Sequence, residues 1–219
     1  MAIDVATKDC NALSEDEIQE MSDLATDGSA PHDTEWLTES IGEWVLAAHA
    51  RDGKRLVGYA LFTLERVGGT PAILVGGLVT RNNAKRGTVM RAVVGEQMRR
   101  AVLAFPDEDV LYGACVGGPG GVEAFALFDG AVPRPDYAAS GEDRAWGQRL
   151  HRRLGPRGDY LKREFRVKGK GVANGVIDHE ASKKVLAAVA TDFEAVDPGN
   201  GDCKVMFSWV LSELLEKQL

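Results

Sequence analysis

The chain has 219 residues, of which 44% are hydrophobic and 27% charged, a balance typical of a globular protein and unlike that of a disordered chain. Its formal charge of −7 and its pI of about 5.2 argue against nucleic-acid binding through the overall surface charge. No apolar run approaches the roughly 20 residues of a membrane span, and the opening MAIDVATKDC lacks the features of a secretory signal. We therefore expect a cytoplasmic protein without a membrane partner.

The three cysteines, Cys10, Cys115 and Cys203, indicate neither a metal site nor a disulfide framework. They are far apart in the chain, and the four histidines do not cluster with them at metal-ligand spacing. We expect reduced thiols and no bound metal.

The first half of the chain predicts two helices followed by three strands. Ser14-Glu15-Asp16-Glu17 has the form of a capping box at the start of a helix, and a second short helix is expected after Asp33. The predicted strands are 44–50, 55–64 and 71–80, joined by turns at 51–54 and 66–70. The third of them, PAILVGGLVT, is apolar throughout, which is typical of a central strand covered on both faces.

The second half predicts alternating helices and strands. A helix is expected from Thr88 to about Phe105, followed by a fourth strand over 109–117. The elements predicted after it are helices at 122–128 and 142–154, a strand at 159–167, and two C-terminal helices at 179–196 and 204–218. The whole order predicts a mixed α/β (α+β) protein with a central, mostly antiparallel, twisted sheet flanked by helices.

A basic turn containing a glycine joins the third predicted strand to the next helix. Its residues are Ala84, Lys85, Arg86, Gly87, Thr88 and Val89. Unpaired N–H groups and the positive end of the dipole make a helix N-terminus suitable for phosphate. Gly87 permits close approach to the backbone, and Lys85 and Arg86 add positive charge. An ordinary strand-to-helix turn with solvated cations is the alternative.

The order of elements over about residues 12–168, together with this turn, resembles the GCN5-related N-acetyltransferase (GNAT) superfamily. The loop pattern of the superfamily is Arg or Gln, two residues, Gly, one residue, then Gly or Ala. Only Gly87 matches it, because Ala84 and Val89 occupy the outer positions. The resemblance implies acetyl-CoA, or another acyl-CoA, as co-substrate. The residues implied to bind it are Leu78, Val79, Thr80 and 84–89.

The resemblance also implies a division of the chain into two parts. Residues 1–168 form a GNAT-like acyltransferase domain with an insert at about 134–158. Residues 169–219 form a C-terminal two-helix extension. Trp209, Val210 and Leu214 are an apolar stripe of that extension, which we expect to pack on the core and to support a homodimer.

The residues that usually transfer protons in the superfamily are absent from the matching positions. Many members carry a Glu on the third strand, whereas PAILVGGLVT has no ionisable side chain. The Asn and Tyr expected around 120–131 are also missing. The candidate substitutes are Tyr112 and Glu123, with Tyr137 or Tyr160 near the acceptor side; for each, an ordinary surface carboxylate or half-buried aromatic is the alternative.

The sequence therefore predicts an acyl-CoA-dependent N-acyltransferase. An amine on a small molecule or a protein would attack the thioester directly, with a backbone N–H near Val79 polarising its carbonyl group. A non-catalytic acyl-CoA-binding or regulatory protein of the same fold is the first alternative, because the usual catalytic residues are missing. A nucleic-acid-modifying transferase is the second, because residues 144–170 carry ten Lys or Arg in an otherwise acidic chain. Solvated cations paired with carboxylates elsewhere are the favoured explanation of that segment.

Overall fold

The structure is a computed structural model that describes residues 3–26, 28 and 32–217. Its strands are β1 (Asp4–Asp9), β2 (Leu46–Asp52), β3 (Arg55–Val67), β4 (Thr70–Thr80), β5 (Val110–Val116), β6 (Gly158–Leu161), β7 (Arg166–Gly169), β8 (Ile177–Asp178) and β9 (Cys203–Val210). Its α-helices are α1 (Glu15–Ala25), α2 (Thr34–Ile41), α3 (Arg86–Ala104), α4 (Gly141–Leu154), α5 (Lys183–Phe193) and α6 (Ser212–Glu216).

One nine-stranded mixed sheet organises the described residues. The strands follow the order β1-β2-β3-β4-β5-β9-β7-β6, and β8 lies off this path, beside β4. The pairs β4–β5 and β4–β8 are parallel, and the other neighbours are antiparallel. The predicted fold class, a mixed α/β protein with a mostly antiparallel sheet flanked by helices, is confirmed.

Each face of the sheet is covered by its own apolar cluster. On one face α3, α5 and α6 pack through residues such as Val93, Val189 and Leu215. On the other face α1, α2 and α4 pack through residues such as Met21, Leu37 and Leu150. Because both faces are covered, β4 and β5 lie almost entirely in the interior, as the continuous apolar sequence of β4 predicts.

The helix caps and the glycine turn predicted in the N-terminal part are present in the structure. The capping box at Ser14 is present at the start of α1, and Asp33 caps α2 by accepting a hydrogen bond from the Trp36 N–H group. Gly53 takes a positive φ of 63° in the turn between β2 and β3. The sequence analysis missed β1, which forms the edge of the sheet beside β2.

The C-terminal predictions need three corrections. Residues 159–167 are not one strand but part of a hairpin, β6–β7, and the predicted helix at 179–196 shortens to α5. The predicted helix at 204–218 is wrong, because β9 occupies 203–210 and only the short α6 follows it. The apolar residues of 204–218 also fit one side of a helix, which explains the wrong prediction. In the structure nearly all of 203–210 is buried, because β9 lies inside the sheet between β5 and β7. The two-helix composition expected for the C-terminal extension is therefore wrong.

A bulge in β4 separates that strand from β5. Val75 pairs with Phe62 and Gly77 with Leu61, so Gly76 is an extra residue in the ladder. A Cβ atom at Gly76 would lie 1.8 Å from the Trp44 ring, so only glycine fits there. The pairing of β4 with β5 also ends at Val75. Beyond the bulge the two strands diverge and leave a cleft.

Candidate functional site

Residues 174–182, called here the inner segment, enter the cleft between the diverging strands. The Leu78 N–H group donates to the Val176 carbonyl oxygen at 2.8 Å, and the Val176 N–H group donates to the Cys115 carbonyl oxygen at 3.1 Å. Ile177 then pairs with Leu78, and Asp178 with Val79, in parallel register. The inner segment thus bridges β4 and β5 as an extra strand where the two no longer contact each other.

The inner segment packs closely against the glycine-rich turn after β5. A Cβ atom at Gly175 would lie 2.7 Å from the Cα and N atoms of Gly117. A Cβ atom at Gly120 would lie 1.5 Å from the His179 carbonyl oxygen. Side chains at these glycines would therefore displace the segment. The glycines at 117–121 thus form the surface on which the inner segment packs.

The turn between β4 and α3 has the geometry of a helix N-terminus with free donors. Asn83 organises it, since its side chain accepts a hydrogen bond from the Lys85 N–H group at 2.7 Å and its carbonyl oxygen accepts one from Arg86 at 3.1 Å. Within the described residues, the N–H groups of Ala84 and Gly87 donate to no protein atom. These two donors suit an anion. Sequence reasoning missed Asn83, although an Asn in a turn often bonds to the backbone two residues further along the chain.

The two cations of this turn are already paired. The Lys85 ammonium group lies 2.5 Å from an oxygen of Asp52. The Arg86 Nε lies 3.4 Å from a carboxylate oxygen of Glu180 and donates to the Glu180 carbonyl oxygen at 3.2 Å. Glu180 belongs to the inner segment, so the segment reaches from the edge of β4 to the start of α3. Phosphate at this turn would compete with Asp52 and Glu180.

An open cavity of about 600 Å³ lies beside the inner segment at the end of β4. Its wall includes Leu24 of α1, Val79 and Thr80 of β4, Arg81, and His179 of the inner segment. The His179 Nδ1 lies 2.6 Å from the Thr80 hydroxyl oxygen. Burial lowers the pKa of His179 below its usual value, so the ring is neutral at pH 7. Sequence reasoning gave His179 no role, because only the tertiary structure brings it to β4.

Glu123 lies at the far end of the inner segment. Its carboxylate accepts a hydrogen bond from the Ser182 N–H group at 2.8 Å. Burial alone would raise the pKa of Glu123, but the hydrogen bonds from Ser182 and the nearby His179 and Arg86 outweigh it and lower the pKa. Glu123 is therefore ionised at neutral pH and is a weak proton acceptor. Its contacts hold the inner segment in place.

Tyr112 lies outside the cleft. It is fully buried on the α3 face of the sheet, where its hydroxyl donates to the Gln97 side-chain oxygen at 3.0 Å. Its ring contacts Phe125 and Phe128, and burial raises the pKa of its hydroxyl well above the usual value. A proton carrier needs access to substrate, and the structure does not bring Tyr112 to the cavity.

The other tyrosine candidates are structural anchors of the α4 region. The Tyr137 hydroxyl donates to Asp143 at 2.8 Å, and the Arg134 guanidinium lies 3.8 Å from the centre of its ring. Tyr160 stacks on His151 with ring centres 4.5 Å apart. Neither residue lines the cavity beside β4.

The basic segment 144–170 is partly neutralised by carboxylates. Arg153 makes two hydrogen bonds to Glu65, at 2.6 and 2.7 Å, and Lys170 lies 3.2 Å from Asp159. Arg149 lies over the Trp146 ring, 4.6 Å from its centre. These contacts agree with solvated, paired cations more closely than with a nucleic-acid site.

Two features are absent from residues 3–26, 28 and 32–217. None of the helices there is long and apolar enough to cross a membrane. The same residues contain no group of three or more His, Cys, Asp or Glu side chains placed to hold a metal ion. Cys10, Cys115 and Cys203 are buried, free thiols.

Comparison with known proteins gave structural matches only. No family model and no curated protein matches the chain. Similar solved structures include the ribosomal-protein-S18-alanine N-acetyltransferase from Escherichia coli (8% identity, 95% of each chain, TM-score 0.44) and the aminoglycoside 6'-N-acetyltransferase from Enterococcus faecium (12% identity, 93% of this chain and 96% of that one, TM-score 0.43). A putative acetyltransferase of the GNAT family from Desulfovibrio desulfuricans also matches (11% identity, 95% and 99%, TM-score 0.42). At such low similarity, the substrates and mechanisms of those enzymes do not transfer to this chain.

Proposed function

We propose that the chain is a divergent member of the GNAT superfamily that transfers an acetyl or other acyl group from acyl-CoA to an amine. One observation carries the proposal: the edge of β4 beyond Gly76, where the pairing with β5 has ended, leads to N–H groups at the start of α3 that donate to no described protein atom. That edge already pairs with an extended peptide backbone, so it accepts a chain with amide groups. Coenzyme A has amides in its pantetheine arm and phosphates beyond them, in the order that the edge and the helix start require.

The residues of this chain divide the work as follows. The N–H groups of Ala84 and Gly87, with Lys85 and Arg86, bind the phosphates. The backbone of Leu78, Val79 and Thr80 aligns the acyl group, and an N–H group near Val79 polarises its carbonyl. In the transfer, the amine nitrogen forms a bond to the carbonyl carbon, the carbon–sulfur bond breaks, and the thiolate leaves.

The amine must lose a proton during the transfer, and we assign its acceptance to Glu123, an ionised carboxylate at the far end of the inner segment. Its lowered pKa makes it a weak base. We therefore expect slow transfer that speeds up as pH rises, because a larger fraction of the amine is then neutral. Tyr112 is not assigned a role, since it does not reach the cavity.

A non-catalytic acyl-CoA-binding protein is the second candidate. The specific observation in its favour is that β4 has no ionisable side chain and that Lys85 and Arg86 are already paired with carboxylates. Such a protein would bind acyl-CoA and leave the thioester intact. The cytoplasmic location and the homodimer stay predictions, and sedimentation analysis would test the latter.

The test combines binding with turnover. A ligand that binds only the folded state raises the melting temperature by mass action, so we expect acetyl-CoA to raise it at millimolar concentration. Incubation with acetyl-CoA and a panel of amines, with the released thiol measured, separates the two candidates. Thiol release that depends on an amine supports transfer, whereas binding without release supports the non-catalytic protein. Absence of both overturns the assignment.

A further inference from the structure

We propose that the inner segment, residues 174–182, is a displaceable internal strand that occupies the acyl-CoA site and must leave before acyl-CoA binds. This inference rests on the proposed function. In the described structure the segment covers both parts of that site. Its backbone pairs with the edge of β4. The carboxylate of Glu180 lies beside Arg86 at the start of α3.

The first support is the pairing with β4. The Leu78 N–H group, which an incoming amide chain needs, is taken by the Val176 carbonyl oxygen at 2.8 Å. Ile177 and Asp178 continue the pairing along Leu78 and Val79. A second extended chain has no place on this edge while the segment is present, because each strand edge pairs with one neighbour.

The second support is the position of Glu180. Its carboxylate lies 3.4 Å from Arg86 Nε, and Glu123 also faces this region. A phosphate brought to the start of α3 would be repelled by Glu180 and would have to take its place beside Arg86. The segment thus presents amide groups followed by an anion, in the same order as the ligand that we propose.

The third support is that side chains fix the segment at both ends, whereas its strand pairing between them is short. The Asn174 side chain donates to the carbonyl oxygens of Arg157 and Gly201, at 2.7 and 2.6 Å, and the Ser182 N–H group donates to Glu123. Between these anchors, β8 is only two residues long. Displacement of the middle breaks the bonds of Val176 to Leu78 and Cys115 and of His179 to Thr80. The ligand's own bonds to β4 replace part of them, and both ends can stay attached.

Displacement has a measurable consequence for affinity. A ligand that binds only the open form shows an apparent dissociation constant raised in proportion to the rarity of that form. Changes that loosen the segment without touching the ligand site should therefore tighten acyl-CoA binding. A mutation in the wall of an ordinary binding site would instead weaken acyl-CoA binding.

Two variants loosen the segment by different means. Ile177→Ala removes buried apolar contact, and Gly175→Ala places a Cβ atom 2.7 Å from the Gly117 backbone. Their controls make the same chemical change elsewhere. Leu186→Ala truncates a side chain that is 44% exposed, and Gly141→Ala adds a Cβ atom that meets nothing within 4 Å.

The experiment measures CoA affinity by calorimetry for the wild type and the four variants, with hydrogen exchange of peptides covering 174–182. We expect Ile177→Ala and Gly175→Ala to bind CoA about tenfold more tightly, equivalent to about 1.4 kcal/mol. The controls should match the wild type, and CoA should speed hydrogen exchange in the segment.

The outcomes separate this inference from the proposed function. CoA binding by the wild type with equal affinity in the loosened variants, or with unchanged exchange of the segment, overturns displacement and leaves the proposed function standing. CoA binding by none of the proteins, loosened variants included, overturns the proposed function and displacement with it. A melting curve for each variant identifies one that fails to fold, and the other loosened variant then decides the result.

Discussion

Tyr112 and Gln97 form a hydrogen-bonded pair inside the protein, between β5 and α3. Both side chains are fully buried, so the hydroxyl group is part of the packing. Tyr112→Phe should lower the free energy of unfolding by about 1–3 kcal/mol, because the Gln97 oxygen loses its donor. In a chain of this size each kcal/mol corresponds to about 2–4 °C in melting temperature. CoA binding and amine-dependent thiol release should stay unchanged.

Tyr137→Phe is the matched control for this variant. It also removes one hydroxyl donor, but Tyr137 is 38% exposed and water replaces its bond to Asp143. Its melting temperature should therefore change less. A large loss of activity in Tyr112→Phe at an unchanged melting temperature would contradict the structural role.

His32 makes the stability of the protein depend on pH. It is stacked on Trp36 and bonded through Nδ1 to the Tyr59 hydroxyl at 2.7 Å, and burial lowers its pKa to about 3. An unfolded His has a pKa of about 6.5, so below that pH the unfolded state binds more protons than the folded state. Stability is therefore present above about pH 6.5 and is lost as the pH falls toward the folded pKa.

The expected loss between pH 7 and pH 5 is about 2 kcal/mol from this residue. Denaturant unfolding at several pH values measures it, and His32→Asn should flatten the dependence. Burial also lowers the pKa of His49 and His179, so a smaller slope of the same sign should remain. Equal slopes in the two proteins would refute the assignment to His32.

At the scale of elements, the start of α3 tests whether the turn after β4 binds phosphate. Gly87 does not adopt a positive φ, and an added Cβ atom would meet only Arg91, at 3.7 Å. Gly87→Asp should therefore fold normally, since an acid is favourable in the first turn of a helix. Its carboxylate would face the phosphate, and repulsion in a desolvated site costs several kcal/mol.

We expect Gly87→Asp to keep its melting temperature without ligand and to lose CoA affinity by more than about a hundredfold. Gly87→Asn is the control, because it has nearly the same shape without the charge. Calorimetric titration of the three proteins decides the matter. Equal affinities in wild type and Gly87→Asp would mean that this turn binds no phosphate.

The elements that were predicted correctly from the sequence are those whose start or end is determined by residues close by in the chain. The capping box at Ser14, the cap at Asp33 and the glycine turn before β3 each depend on neighbours within a few residues. The inner segment has no such signal, since Val176 pairs with Leu78 of a distant strand. Periodicity alone also failed for β9, because a short apolar run fits a buried strand and a helix equally well.

Part of the candidate site could likewise be predicted from local sequence, and part could not. The basic turn at 84–89 was visible because a strand, a glycine and a helix follow each other in sequence. Gly76 and Gly77 inside an apolar strand were a further signal of a bulge, and the cleft begins there. The partners that neutralise the turn, Asp52 and Glu180, come from distant parts of the chain. Only the folded structure brings them together.

At the scale of the whole molecule, the sheet joins the two parts into which the sequence was divided. β9 pairs with β5 along the full length of that strand and also pairs with β7. Removing residues 169–219 would leave β5 without its neighbour and uncover Phe165, which is nearly fully buried and packs against Phe207 of β9. An unpaired apolar strand is prone to aggregation.

We therefore predict that a 1–168 fragment fails to form a cooperatively folded protein and aggregates. The control is the full chain with an engineered protease site at Gly171, an exposed residue in a turn with a positive φ of 79°. After cleavage the two pieces should stay associated and melt in one transition, because the pairing of β9 with β5 needs no intact connection at 171. Circular dichroism and size-exclusion chromatography of both proteins measure the difference. A soluble 1–168 fragment with its own cooperative melting transition would instead establish an independent domain ending at residue 168, with β9 as a dispensable addition to its sheet.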